Sequence, residues 1–108
     1  MATPESATKA RVKKILEANN AWAFMPVQGG FGAASLDFLC ARWSDSRFFA
    51  VETKKHRGDP TDRQWKLIND LRARGTRVFI IDDQYGDGLN LKHESLATLD
   101  AWLKGNHP

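Results

Sequence analysis

Cysteine occurs once in this sequence, as Cys40, so no internal disulfide can staple the fold. That fits a reducing compartment such as the cytoplasm. No apolar run approaches the roughly 20 residues that span a bilayer. Met1-Ala2-Thr3-Pro4-Glu5 leads straight into a polar, basic helical pattern, so no secretory signal is expected. Internal repeats, low-complexity tracts and interdomain linkers are missing too. The 108 residues therefore suit one domain, 1–108, with one modest core. What remains is ordinary globular material, 42% hydrophobic and 27% charged. The net charge of +3 is compatible with nucleic acid without being diagnostic of it. His93 and His107 show no metal-ligand spacing, and Cys40, between Leu39 and Ala41, is expected in the core.

The periodicity predicts a helix over residues 4–20, with Val12, Ile15 and Leu16 as its apolar stripe. Strands follow over 21–27, 35–42 and 47–54, the last two joined by the tight turn Ser44-Asp45-Ser46. A helix is predicted over 61–74 and closed by Gly75. A buried strand over 77–82 and a helix over 94–104 complete the order α-β-β-β-α-β-α. The helix between the third and fourth strands implies a parallel crossover, hence an α/β fold with a mixed sheet flanked by helices.

Polar residues interrupt this pattern at telling places. Asp37 sits in the apolar run Leu36-Asp37-Phe38-Leu39-Cys40, and Glu52-Thr53-Lys54 ends the run Arg47-Phe48-Phe49-Ala50-Val51. Strand alternation points Glu52 and Lys54 to one side. Two acids in otherwise buried runs need partners, and a divalent metal with its water is one kind of partner. An edge-strand acid facing water is the alternative for Asp37. In the first helix Glu5 lies near the centre of the apolar stripe, whereas Glu17 points away from it. Glu5 either enters a site or complements the helix N-terminus. Gln64 opens the core-facing stripe of Leu67, Ile68 and Leu71, but Thr61-Asp62-Arg63-Gln64 also has the form of a capping box. Lys54, Lys55, His56 and Arg57 form a basic run, which reads as a phosphate-gripping loop or as a solvated face. Asp82, Asp83, Asp87, Glu94 and Asp100 are expected away from it.

Taken together these residues resemble the PD-(D/E)XK nuclease superfamily, and within it the VRR-NUC branch in the stand-alone form common in phages. The pattern is an early helix Glu (Glu5), a Gly-containing loop (Gly29 to Gly32), a strand Asp (Asp37), Glu-x-Lys (Glu52-Thr53-Lys54) and a helix Gln (Gln64). Phe24-Met25-Pro26-Val27-Gln28 before the loop is similar as well. The likeness runs from about Thr3 to Asp82. Leu36 stands where the family has a proline.

The resemblance implies a restriction-endonuclease-like αβββαβ core plus a C-terminal helix, and an Mg²⁺- or Mn²⁺-dependent deoxyribonuclease. Asp37, Glu52 and the Thr53 carbonyl would hold the metal. Lys54 would position or deprotonate the attacking water, or stabilise transition-state charge. Gln64 would orient Lys54 or the water, Glu5 would complete the metal shell, and Lys55, His56 and Arg57 would grip phosphates. It also implies branched DNA, such as a four-way junction, as substrate. The place of action would be the cytoplasm of a bacterium or phage-infected cell. A homodimer is expected, with Phe31, Trp43, Trp65 or Trp102 supplying its apolar face. The rival readings are a non-catalytic DNA-binding module on the same fold, and an interaction domain in which Glu52 and Lys54 are a surface ion pair.

Overall fold

A computed structural model describes residues 4–26, 36–54, 58–82 and 94–105, with residues 4 and 5 described by backbone alone. Its elements are α1 (Pro4–Ala18), β1 (Trp22–Phe24), β2 (Phe38–Ala41), β3 (Phe48–Thr53), α2 (Asp62–Ala73), β4 (Arg77–Ile81) and α3 (Leu96–Lys104). The strands form one sheet in the order β1-β2-β3-β4. The first two pairings are antiparallel, and β3 pairs parallel with β4 across the α2 crossover. Among the described residues no helix is long and apolar enough to cross a membrane.

Strand alternation divides the core in two. Phe38, Cys40, Phe49, Val51, Phe79 and Ile81 pack under α1 (Val12, Leu16) and α3 (Leu99, Trp102, Leu103). Ala50, Val78 and Ile80 pack with Leu36 under Ile68 of α2. Trp102 is therefore core, meeting Phe49 and Phe79 edge-on at 5.0 and 5.4 Å between ring centroids. Arg42 closes this layer. Its guanidinium lies 4.0 Å from the Trp102 ring centroid and donates to the Trp102 carbonyl and to both carboxylate oxygens of Asp45. Cys40 lies inside the first layer, where burial pushes its thiol up to about 12 and leaves it inert.

Helix ends follow the local chemistry. Gly75 at φ 87° ends α2, with its own N–H to Arg72 and the Thr76 N–H to Leu71, a Schellman arrangement. α3 begins at Leu96 with Ser95 as its cap, two residues later than the periodicity predicts. Glu94 is drawn off by the sheet: its N–H bonds the Ile80 carbonyl and its carboxylate pairs with Arg77.

Candidate active site

The β2–β3 register pairs Phe38 with Val51, and one residue further it sets Asp37 opposite Glu52. The chain bends at Asp37. Leu36 and Phe38 consequently pack on different faces, although strict alternation would put them on the same one. The bend turns the Asp37 carboxylate back onto β3, where Oδ2 accepts both the Thr53 N–H (2.9 Å) and the Thr53 hydroxyl (2.6 Å). In return the Asp37 N–H donates to Oε1 of Glu52 at 3.1 Å. Covalent geometry keeps an aspartate carboxylate within about 5 Å of its own nitrogen, so the two acids share one end of the sheet. Asp37 immediately precedes β2, an inner strand of the sheet, and is buried; it does not face water from an edge.

The remaining oxygens each face an ammonium. Asp37 Oδ1 lies 3.4 Å from Lys9 Nζ, and Glu52 Oε2 lies 3.3 Å from Lys54 Nζ. Glu52 is 1% exposed and Lys54 14%, so this pair is internal and not a surface ion pair. Burial, with the Asp37 charge beside it, raises the Glu52 carboxyl to about 7, against the opposing pull of Lys54 and of the Asp37 N–H. Lys9 and the Thr53 hydroxyl carry no sequence signal that marks them for this site; both enter through tertiary placement. Asp82 is buried directly after β4. The parallel register of Thr53 with Ile81, together with the Lys54 N–H bond to the Ile81 carbonyl, sets Asp82 beside Lys54. This corrects its expected place among distant acids.

Asp37, Glu52, Thr53 and Lys54 are thus brought together. Gln64 is not among their partners. Its Oε1 accepts the Thr61 N–H at 3.0 Å while its own N–H donates to the Thr61 hydroxyl at 3.2 Å, so the capping-box reading describes it. Glu5 lies one turn before Lys9 on α1, but its side chain lies outside the described residues, as do Gly29 to Gly32, Phe31, Lys55, His56, Arg57, His93 and His107. Trp65 packs half-buried against the α2-side cluster, and Trp43 is exposed.

The donor set fits a hard divalent cation. Among the described residues, Asp37 Oδ1 and Glu52 Oε2 are carboxylate oxygens with no backbone donor, and no third carboxylate, imidazole or thiol joins them. Mg²⁺ commonly takes one or two carboxylates and completes its shell with water and substrate phosphate.

No protein-family model matches the chain, and no curated protein sequence does. A solved structure described as a VRR_NUC domain superposes with a TM-score of 0.69, covering 98% of this chain and 100% of that one at 19% identity. The chain therefore has the VRR_NUC fold: a mixed four-stranded sheet flanked by three helices.

Proposed function

We propose that this protein is a metal-dependent DNA endonuclease that hydrolyses phosphodiester bonds in branched DNA as a homodimer within the cytoplasm. The observation that carries the reading is the buried Asp37–Glu52 pair with Lys54, at one sheet end of a VRR_NUC fold. Asp37, Glu52 and the Thr53 carbonyl are the groups that would hold Mg²⁺ or Mn²⁺. Bound there, such an ion would supply Lewis acidity towards the phosphoryl oxygens and towards water. Thr53 fixes the Asp37 carboxylate, and the Asp37 N–H fixes Glu52, so neither acid has to be reorganised during the reaction. Lys54, held by Glu52, positions the attacking water or places positive charge where the phosphoryl group gains negative charge. Lys55, His56 and Arg57, which directly follow Lys54 in sequence, serve phosphate binding in this reading.

The homodimer is supported by exposed apolar side chains on one face of the sheet, Trp22 and Phe24 of β1 and Phe48 of β3, with Trp43 exposed just beyond β2. Trp22, Ala41 and Phe48 are in register across three strands.

The test is cleavage of a four-way junction, a flap, a duplex and a single strand, with Mg²⁺ or Mn²⁺ and with chelator, alongside light scattering. Cleavage of branched substrates should require metal and be lost in Asp37→Asn and Lys54→Ala. Salt-sensitive binding of every substrate without cleavage would make the protein a DNA-binding module instead.

A further inference from the structure

The two carboxylates are built on one plan. Each has an oxygen fixed by a backbone N–H and another that faces a lysine ammonium. The two lysines differ in how firmly they are held. Lys54 is 14% exposed and its backbone is bonded to β4. Lys9 stands on α1, is 34% exposed, and reaches Asp37 only through its four-carbon stem. A strongly hydrated ammonium on a flexible stem returns to water easily.

We propose that Lys9 is a resident counter-cation of the site: it occupies Asp37 Oδ1 in the metal-free protein and is displaced when a divalent ion binds. The inference rests on the metal-site reading given above. Without an ion, Lys9 offsets the repulsion between two acids held together in a buried place. With an ion on the same oxygen, the ammonium and the divalent charge repel at close range, and the partly exposed Lys9 is the partner that can leave. Its ammonium therefore sets a threshold, so that the site fills only when the ion outcompetes a cation already in place. The thermodynamic form is competition: whatever Lys9 contributes to the metal-free protein is subtracted from metal affinity.

The experiment is Ca²⁺ and Mn²⁺ titration by calorimetry, with thermal melts in chelator and in saturating Ca²⁺. The proteins are wild type, Lys9→Met, Lys9→Arg, Lys14→Met and Asp37→Asn. Lys14 is exposed on the same helix, so Lys14→Met removes the same charge away from the site. Lys9→Met should bind the ion roughly fivefold more tightly, melt lower in chelator and gain more from Ca²⁺. Lys9→Arg, which keeps the charge, should stay near wild type. Equal or weaker binding by Lys9→Met, or the same tightening in Lys14→Met, overturns the proposal while leaving the metal site intact. Absence of ion binding in the wild type, or binding undiminished in Asp37→Asn, overturns the metal site itself and this inference with it.

Discussion

Glu52 makes a quantitative demand on the pH dependence of stability. Its carboxyl is raised from the ordinary 4.5 to about 7, first by burial and then by the charge of Asp37. Below pH 4.5 the group is protonated in folded and unfolded chains alike, and its contribution to stability is complete. Between pH 4.5 and 7 the unfolded chain ionises while the folded chain holds its proton, so stability falls by about 1.4 kcal/mol for each pH unit. Above pH 7 both forms are ionised and the loss is complete, at about 3 kcal/mol. The perturbation is Glu52→Gln, which keeps an acceptor for the Asp37 N–H and removes the titration. Urea unfolding in chelator, followed by tryptophan fluorescence from pH 4.5 to 8, gives both stabilities. Titrating groups distant from Glu52 cancel in the comparison. Wild type minus Glu52→Gln should therefore fall by about 3 kcal/mol across that range. The fall should shrink in an Asp37→Asn background, because a neutral neighbour no longer opposes ionisation. Saturating Ca²⁺ should also reduce it. Two parallel curves would refute the reasoning that desolvation and a neighbouring acid dominate at Glu52.

Three further outcomes are expected. Thr53→Val removes the hydroxyl that donates to Asp37 and should cost about 1–2 kcal/mol by urea unfolding and weaken Ca²⁺ binding, with Thr53→Ser restoring both. Gln64→Ala opens the capping box and should cost about 1 kcal/mol, yet leave metal-dependent cleavage close to wild type; a loss of cleavage beyond the loss of folded protein would give Gln64 a role in chemistry. Arg42→Ala removes the cation over the Trp102 ring and the donor to its carbonyl and should lower stability by about 2 kcal/mol, checked by thermal and urea melts.

Much of the fold was legible because burial and periodicity coincide. Val12 and Leu16 mark the inner face of α1, Phe49 and Val51 mark one face of β3, and Gly75 marks the end of α2. Asp37, Glu52 and Lys54 stood out for the opposite reason: each is a charged group in or beside an apolar run. Lys9 was hidden among neighbours of its own kind. Lys9, Lys13 and Lys14 look alike in sequence, and only the seating of α1 against the start of β2 sets one apart. The Thr53 hydroxyl was hidden because its contact depends on the bend at Asp37, which breaks the alternation from which strand faces are read. Asp82 was misplaced because a parallel crossover brings together residues far apart in the chain. Gln64 satisfied two patterns at once, and the structure shows it in the cap, where Thr61 is three residues away.

The Asp37–Thr53 clasp changes what the customary inactive variant reports. The carboxylate that would greet an ion also latches the beginning of one strand to the finish of the next, so deleting it loosens architecture and chemistry together. A loss of cleavage in an alanine variant there would leave its cause ambiguous. Asparagine retains an oxygen for the latch while discarding the charge, which makes it the more informative lesion in any knock-out of this centre.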